Sequence, residues 1–329
     1  MSRLRLTLAC WDYDRVKALQ DGRVVPEGID LNFLPLRVEE TFFRALRGQE
    51  FDVCELSLSS YLLTLDREDP PFVAIPAFPS RFFRHQSIYV NTDRVQRPAD
   101  LVGKRIGTPE FQLTAGVWQR GILADEYGVP VESVSYVTGA LSGTAKRDEK
   151  IPLSLPPGIS VTPIEAGKNL SDMLAAGEID AIQTAPAPHT FGTAPNVGLL
   201  FPDFVAVERE YFTRTGIFPI MHVVAIKRAV YEANPWIARS LLKAFDESLR
   251  IASADLAHRS ALKVMLPWLQ EHVRETIDAL GPDYWSYGIE RNRHVLETFI
   301  RYSFEQGLAK RRRTPEELFA PGVDESFLI

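Results

Sequence analysis

Polar side chains gather at three places where a short apolar run of the sequence ends. The three clusters are residues 11–14, residues 55–61, and residues 108–110 followed by 114–116. Ligands of doubly wound sheets bind at the carboxyl ends of strands, so each cluster is a candidate binding position. A helix that starts at Thr114 would offer free backbone N–H groups, which favour a carboxylate. The alternative interpretation of each cluster is structural: its polar side chains would cap a helix or form the hydrogen bonds of a turn.

The densest cationic stretch of the sequence, residues 80–85, contains Arg81, Arg84 and His85. Two arginines three residues apart could form bidentate pairs with carboxylates. They could equally be salt-bridged hinge residues. His85 and His222 each stand in an extended apolar run. A lone histidine in such a run is either a core residue whose ring nitrogens are hydrogen-bonded or, where the run crosses between lobes, a residue that lines the cleft.

Alternating strands and helices would position these residues. Strands are predicted at 4–9, 29–36, 51–56, 104–107, 134–137, 159–163 and 178–183, and helices at 13–20, 39–47, 114–127, 169–176 and 235–256. This alternation predicts a doubly wound α/β fold. Residues 46–53 and 174–181 share a pattern of helix end, glycine and strand entry, which indicates two similar lobes. Asn234 is a candidate N-cap, and residues 314–317 have a capping-box pattern.

Composition limits the possible functions of the 329-residue chain. Its net charge is −6, from 37 Lys and Arg against 43 Asp and Glu, so it has no basic field for nucleic acid or an anionic membrane. Two cysteines, Cys10 and Cys54, do not make a disulfide framework or a cysteine-based zinc site. The apolar run at the N-terminus is too short for a signal-peptide core, and we expect a reduced, cytoplasmic protein. Dinucleotide, P-loop, zincin and α/β-hydrolase motifs are absent.

Several blocks of the sequence resemble the 4,5-dihydroxyphthalate decarboxylases. The resemblance is carried by residues 11–15, 50–61, 80–85, 109–115 and 215–222. It implies a type II periplasmic-binding-protein-like fold with an interlobe cleft and a helical C-terminal extension. Residues 1–91 with 217–329 would form lobe 1, and residues 92–216 would form lobe 2. The loop 184–189 departs from the family, because it lacks an arginine and offers only His189 as a cation, which puts the choice of aromatic acid in question.

The resemblance implies decarboxylation of 4,5-dihydroxyphthalate to 3,4-dihydroxybenzoate without a cofactor. A proton must be delivered to the ring carbon, and histidine suits this role because its pKa lies near the working pH. We expect His222, or else His85, to deliver this proton. Glu55 or Glu110 would act on the hydroxyl groups of the substrate.

The remaining site residues would bind and orient the substrate. Arg81 and Arg84 would hold the spectator carboxylate together with Thr114 at the helix start. The departing carboxylate should face apolar walls, because its charge must vanish. The candidates for these walls are Trp11, Phe82 and Phe111. Tyr13, Ser57 and Ala115 are the candidates for other substrate contacts.

Two alternatives stay open at this point. The first is a solute-binding protein that captures an aromatic acid without reacting, because a fold does not determine a function. The second is a metal-dependent decarboxylase that uses His85, His222 and a glutamate, although no close ligand spacing indicates such a site. We expect a small aromatic carboxylate as the partner, no nucleic acid, no membrane and a possible homo-oligomer.

Overall fold

The computed structural model describes residues 3–323 of the chain. Its strands are β1 (Leu4–Cys10), β2 (Ile29–Pro35), β3 (Val53–Ser57), β4 (Phe72–Arg81), β5 (Ile88–Asn91), β6 (Arg105–Thr108), β7 (Ser135–Thr138), β8 (Ser160–Pro163), β9 (Ala181–Gln183), β10 (Val197–Leu199) and β11 (Ile220–Lys227). Its α-helices are α1 (Lys17–Gln20), α2 (Val38–Gly48), α3 (Leu58–Thr64), α4 (Thr114–Tyr127), α5 (Leu170–Ala175), α6 (Phe204–Thr215), α7 (Arg228–Ala233), α8 (Ile237–Ala257), α9 (Leu269–Leu280) and α10 (Arg293–Glu305). The chain therefore has the α/β composition that the alternating pattern predicts.

The chain divides into two compact units. The first contains residues 3–81, the stretch Ile220–Glu297 and residues 313–323. The second contains Phe82–Pro219 and Thr298–Arg312. The sequence analysis placed residues 1–91 and 217–329 in lobe 1, and this assignment is wrong for residues 82–91, residues 217–219 and Thr298–Arg312, which lie in the second unit. Phe299 and Tyr302 pack against the fully buried Trp118 of the second unit, with ring centroids 5.3 and 5.7 Å from the indole.

The first unit is built on a mixed sheet with the strand order β2-β1-β3-β11-β4. β1 pairs in parallel with β2 and with β3, whereas β11 runs antiparallel to β3 and to β4. Every residue of β3 is buried, as its short apolar sequence predicts for a central strand. Because β11 is antiparallel to β3, the start of β11 lies beside the carboxyl end of β3.

The second unit is built on a second mixed sheet with the order β10-β5-β9-β6-β7-β8. β6, β7, β8 and β9 form parallel pairs, and β5 is antiparallel to both of its neighbours. A core of Leu170, Met173, Leu174, Ile179 and Ile182 packs beside this sheet. Leu170, Met173 and Leu174 come from α5, within the helix predicted at 169–176. Ile179 and Ile182 come from the predicted strand 178–183, and Ile182 lies in β9.

Several predicted elements differ from the structure. Residues 13–20 form a 3₁₀ turn and the short α1, and α8 begins at Ile237 after Trp236 rather than after Asn234. At the predicted capping box, the Thr314 N–H does donate to the Glu317 carboxylate, but the helix that follows is a single 3₁₀ turn. The pattern analysis did not predict β4, β10, α6 or α7.

The two segments that share the pattern of helix end, glycine and strand entry, residues 46–53 and 174–181, differ in which residue has a positive φ. Gly177 has φ +71°, as the prediction requires, but in the first segment Gln49 rather than Gly48 is left-handed, with φ +47°. Gly48 lies inside α2, where a Cβ would come within 3.0 Å of the Glu50 side chain. Gly48 therefore has no left-handed backbone to accommodate, and the contact that a Cβ would make is with the exposed side chain of Glu50, which can move aside.

No helix between residues 3 and 323 is both long enough and apolar enough to cross a membrane.

Candidate active site

A carboxylate–imidazole pair lies at the carboxyl edge of the first sheet. Glu55 on β3 and His222 on β11 are joined by a hydrogen bond of 2.6 Å between Glu55 Oε1 and His222 Nδ1. His222 stands opposite Ser57 in the antiparallel register, so Glu55 is its diagonal neighbour on the same face of the sheet. The pairing of β11 with β4 shifts register on both sides of His222. Such an irregularity re-aims a side chain relative to a regular strand.

Glu55 is fully buried and its carboxylate is surrounded by donors. Besides His222, the Tyr13 hydroxyl donates to Oε1 at 2.7 Å and the Trp11 backbone N–H donates to Oε2 at 3.0 Å. Burial raises the pKa of Glu55, but the charge and hydrogen bond of His222 and the other two donors outweigh it, so the net pKa is lowered. The carboxylate is therefore ionised at neutral pH, and its oxygens are occupied by protein groups.

Tyr13 supports the same carboxylate. Burial and the nearby Glu55 charge raise the pKa of Tyr13 well above its usual value, so its hydroxyl stays protonated and donates to Glu55. Arg15 stacks over the Tyr13 ring at 4.0 Å and over Trp285 at 4.1 Å, which fixes the position of the tyrosine. The adjacent strand ends that the sequence analysis singled out, at residues 11–14 and 55–61, thus meet at one carboxylate.

One ring nitrogen of His222, Nε2, is not used in the hydrogen bond to Glu55. Within residues 3–323 its hydrogen-bond partner is Glu55 alone, through Nδ1. Its side chain is 14% exposed, and the Phe42 ring packs edge-on against it at 4.9 Å. Glu55 thereby orients the imidazole through Nδ1 and leaves Nε2 available to a bound molecule.

Ser57 and Trp11 lie close to this pair in the fold. The Ser57 hydroxyl accepts a hydrogen bond from the Ser60 N–H at 3.3 Å, as the predicted helix cap requires. Trp11 is 36% exposed, so its indole remains available as an apolar wall.

Arg81 and Arg84 do not share an environment. Arg81 ends β4 in the first unit, where its Nη2 donates to the Ser286 carbonyl at 2.8 Å and to the Asn292 side chain. Arg84 belongs to the second unit and stacks over the half-exposed Phe82 ring at 4.7 Å. Burial lowers the pKa of Arg81 to about 9. These contacts indicate that Arg81 fixes the 286–292 segment, whereas Arg84 stays a candidate carboxylate ligand.

His85 has the environment of a core histidine. Its side chain is buried among the rings of Tyr127, Phe201 and Tyr211, at centroid distances of 6.3, 5.3 and 5.0 Å. Neither ring nitrogen has a hydrogen-bond partner in the described part of the chain. Burial, with a smaller effect of Arg214, lowers the pKa of His85 to about 4. His85 is thus neutral at physiological pH and a poor proton donor compared with a paired histidine.

Glu110 and its neighbours lie at the carboxyl end of β6 in the second unit. The Glu110 carboxylate is fully buried and accepts hydrogen bonds from Arg147 at 2.7 Å and Lys150 at 2.5 Å. Phe111 is also fully buried, which argues against its predicted role as a wall of the site. Thr114 and Ala115 form the buried first turn of α4 as predicted.

Two residues of this region, Glu149 and Arg120, were missed by the sequence analysis. Glu149 binds the backbone N–H groups of Phe111 and Gln112, and Arg120 lies over the Phe111 ring at 3.9 Å. Glu149 lies in a Pro- and Lys-rich loop without periodicity, so no local pattern marks it. Arg120 lies in the middle of α4, where no local pattern distinguishes it from a surface cation, and it is 1% exposed.

His189 is also paired with a carboxylate. Its Nε2 lies 2.9 Å from Asp172 Oδ1 and its Nδ1 lies 3.0 Å from the Ser142 hydroxyl. The side chain is about half exposed. Among residues 3–323, no three His, Cys, Asp or Glu side chains form a group that fits a metal ion.

Comparison with known proteins gives two close relatives in sequence. The chain is 43% identical to a 4,5-dihydroxyphthalate decarboxylase of Comamonas testosteroni over 331 aligned residues, which cover all of both chains. It is 44% identical to a 4,5-dihydroxyphthalate decarboxylase of Pseudomonas putida over 205 residues, covering 62% of this chain and 79% of that one. No family model matches the chain.

Solved structures share the fold. A periplasmic sulfonate-binding protein, SsuA, of Methylobacillus flagellatus superposes with a TM-score of 0.52 at 15% identity, covering 98% of this chain and 93% of that one. The alkanesulfonate-binding SsuA of Xanthomonas axonopodis superposes with a TM-score of 0.51 at 12% identity, covering 97% and 99%. These similarities confirm the expected periplasmic-binding-protein-like fold, and at such identities they concern the fold alone.

Proposed function

The chain belongs to the 4,5-dihydroxyphthalate decarboxylase family, and we propose that it removes one carboxylate of 4,5-dihydroxyphthalate by protonating the ring with His222. Membership of this family makes it a carboxy-lyase. The single observation that carries the mechanism is the 2.6 Å bond between the buried Glu55 carboxylate and His222. It leaves Nε2 of an oriented imidazole for the substrate.

The substrate supplies the electrons for this reaction. Each carboxylate of 4,5-dihydroxyphthalate is para to a hydroxyl group, which pushes electron density onto the carbon that bears the carboxylate. The proton on His222 Nε2 adds to that carbon and interrupts the aromatic ring. The bond to the carboxylate then breaks, CO₂ leaves, and the electron pair of that bond restores the aromatic ring. The products are 3,4-dihydroxybenzoate and CO₂, and His222 regains its proton from water.

Glu55 acts through His222 in this proposal rather than on the substrate. Its carboxylate is fully buried and is occupied by Tyr13, Trp11 and His222, so it has no surface for a substrate hydroxyl. The burial of Glu110 and its pairing with Arg147 and Lys150 argue against the same role for Glu110. Both glutamates are therefore reassigned from bases to positioning residues.

We propose that no cofactor takes part, because the substrate hydroxyl groups provide the electron density that a cofactor would otherwise supply. A chelator test separates this from the metal-dependent alternative, since a metal enzyme would lose activity with EDTA and regain it with one divalent ion. A reduced, cytoplasmic location is also part of the proposal, supported by the buried free thiols of Cys10 and Cys54. A homo-oligomer is supported by the exposed apolar side chains of Met265 and Trp268, which are 99% and 72% exposed.

The deciding experiment is turnover of 4,5-dihydroxyphthalate in D₂O. We expect CO₂ release and 3,4-dihydroxybenzoate that carries one deuterium on the former carboxylate carbon. His222→Gln should lower kcat by about 10²-fold or more at unchanged KM, the usual contribution of general acid catalysis. His85→Gln is the matched histidine control and should lower thermal stability with little change in kcat. Binding without CO₂ release would favour the solute-binding alternative, and a kcat of His222→Gln within threefold of wild type would remove His222 from the mechanism.

A further inference from the structure

A serine, a histidine and an aspartate of the second unit are joined by two hydrogen bonds. The Ser142 hydroxyl oxygen lies 3.0 Å from His189 Nδ1, and Asp172 Oδ1 lies 2.9 Å from His189 Nε2. All three residues belong to Phe82–Pro219, so the arrangement is complete within one unit. A nucleophile bonded to a base, which is in turn bonded to an orienting carboxylate, is the arrangement of serine hydrolases. Proton transfer by His222 uses none of these residues.

The two bonds give His189 the role of a base. The Asp172 carboxylate only accepts hydrogen bonds, so His189 Nε2 carries the proton that it shares with Asp172. In the neutral imidazole Nδ1 is then the acceptor, and the Ser142 hydroxyl donates to it. The hydroxyl proton of Ser142 is therefore directed at the group that removes it when the oxygen attacks a substrate.

The first turn of α5 fixes the aspartate. Asp172 Oδ2 accepts a hydrogen bond from Asn169 Nδ2 at 2.7 Å, and the Asp172 N–H donates to Asn169 Oδ1 at 2.9 Å. Asn169 is the N-cap of this helix and is buried. One carboxylate oxygen of Asp172 is thus bound by the cap residue and the other by His189, so rotation of the carboxylate would break both bonds.

The loops that carry the serine and the histidine are attached to the same helix. The Leu141 carbonyl accepts hydrogen bonds from the Ser171 N–H at 3.1 Å and from the Ser171 hydroxyl at 2.5 Å. On the other side, the Thr190 hydroxyl donates to the Ser171 carbonyl at 3.2 Å. Ser142 and His189 each follow or precede one of these anchored residues directly. Their separation is therefore set before a substrate binds, as catalysis by positioning requires.

The residues that follow Ser142 supply donors that the chain does not use. Within residues 3–323, the backbone N–H groups of Gly143 and Thr144 make no hydrogen bond. Gly143 has φ +71°, the left-handed conformation that glycine adopts without strain, so the chain turns directly after the serine. Free N–H groups beside a nucleophile are the groups that stabilise the oxyanion formed in acyl transfer.

The same loop lines a cavity of about 260 Å³. Residues 139–140 and 144–148 line it together with residues 163–168, from the end of β8 onward. Ser142 is two residues from either stretch of its loop, a distance of at most about 7 Å in extended chain. Ala140 and Ile164 contribute apolar surface to the lining. Because a cavity of about 150 Å³ holds benzene, this one has room for an aromatic ring.

Exposure determines which substrates suit these residues. His189 and Asp172 are 48% and 65% exposed, so water weakens the effect of the Asp172 charge on the imidazole. A weakly activated serine needs a substrate whose leaving group departs easily. A phenolate departs more easily than an alkoxide or an amine, so the arrangement suits aryl esters rather than peptides.

We propose that Ser142 is a second nucleophile of this chain and hydrolyses aryl esters of small carboxylic acids. Ser142 Oγ bonds to the carbonyl carbon of the ester while its proton passes to His189 Nδ1. The bond from that carbon to the phenol oxygen breaks, and His189 gives the proton to the phenolate. Water then attacks the acyl group on Ser142, with His189 again as the base, and the carboxylic acid leaves. Asp172 holds the imidazole and is a positioning residue.

The test measures hydrolysis of 4-nitrophenyl acetate by the full chain. Wild type should release 4-nitrophenolate, and mass spectrometry of acid-quenched protein should locate an acetyl group on Ser142. Ser142→Ala should lose the acetyl group and, like His189→Gln, lower the rate by about 10²-fold or more. Ser154→Ala is the matched control, because Ser154 is another exposed serine between β7 and β8, and it should keep the wild-type rate.

Asp172→Asn separates positioning from a purely structural role. It should lower kcat for the ester about tenfold at unchanged KM and unchanged melting temperature, because the imidazole loses its charged partner. A changed KM or melting temperature with wild-type kcat would make Asp172 structural and overturn its assignment. If Asp172→Asn does not fold, Ser142→Ala decides, since it shortens one exposed side chain. A rate for Ser142→Ala within threefold of wild type, acetylation confined to other residues, or an equal loss in Ser154→Ala would overturn the proposal.

Discussion

Replacing Glu55 with glutamine tests whether this buried carboxylate acts through His222. The substitution keeps the size of the side chain and an oxygen that can accept from Tyr13 and from the Trp11 N–H, but it removes the negative charge 2.6 Å from His222 Nδ1. A hydrogen bond to a charged group contributes about 1.5–3 kcal/mol. If this bond holds the ring in the orientation from which Nε2 delivers its proton, its loss lowers the share of correctly oriented imidazoles, and kcat falls by about 10- to 10²-fold at about 1.4 kcal/mol for each tenfold change.

The Glu55→Gln substitution is expected to lower kcat and to leave KM unchanged. KM should stay near the wild-type value, because Glu55 is fully buried and has no surface for the substrate. Initial rates of CO₂ release give kcat and KM, and circular dichroism with thermal melting verifies the fold of the variant. Asp172→Asn is the matched control, since Asp172 forms the other short carboxylate–histidine pair, 2.9 Å from His189 Nε2, and should leave kcat within about twofold.

A double-mutant cycle completes the test. If Glu55 acts through His222, the effect of Glu55→Gln on kcat should largely disappear in a His222→Gln background, because the interaction that it removes is already absent. Independent, additive losses would show that Glu55 has another role. A kcat of Glu55→Gln within threefold of wild type would refute the reasoning and make Glu55 a core carboxylate.

Two further predictions concern stability. The pKa of His85 is lowered by burial from 6.5 to about 4, so the unfolded chain binds a proton between these pH values that the folded protein does not, and folding stability falls as the pH falls through this window. His85→Phe should remove this loss, so that its stability relative to wild type in urea denaturation rises by about 3 kcal/mol between pH 7 and pH 4. Glu208, whose pKa burial raises to about 7, has the opposite pH dependence in both proteins, and parallel stability curves would contradict the prediction. Arg81→Lys should lose the contacts with Ser286 and Asn292 and lower the free energy of unfolding by about 1–3 kcal/mol at unchanged kcat. Unchanged thermal stability with a raised KM would instead return Arg81 to the substrate.

Local sequence patterns predict much of this fold. The helix expected at 114–127 is α4, Thr114–Tyr127, and it ends at Gly128, whose φ of +65° is the left-handed conformation that glycine adopts easily. The apolar run at 51–56 is the buried central strand β3. These elements follow from hydrophobic periodicity and from glycine caps, which depend on neighbouring residues alone. β4 escaped prediction because nine of its ten residues are buried, and such a strand has no alternation of apolar and polar positions.

The candidate site was only partly predictable. Tyr13 and Glu55 were singled out by their place in polar clusters at the ends of apolar runs, and His222 by its place in an extended apolar run. The resemblance supplied the reaction in which they were expected to act. Their mutual roles were not predictable. Glu55 and His222 are 167 residues apart in sequence, and whether a glutamate touches a substrate or a histidine depends on its burial and its partners.

The sequence by itself determined the α/β class, most helix and strand positions and the chemical types available at the strand ends, because these depend on local spacing. Only the tertiary structure decided which of those groups meet. Antiparallel pairing of β11 with β3 places His222 beside Glu55, whereas Arg81 and Arg84, three residues apart, enter different units. Hydrogen bonding likewise separates the two histidines. His222 Nδ1 is bonded to Glu55 at 2.6 Å, whereas His85 lies among aromatic rings, has no hydrogen-bond partner in the described chain, and is 3.9 Å from the Glu208 carboxylate. Hydrogen-bond partners and burial depend on contacts between distant segments, and these contacts exist only in the folded chain.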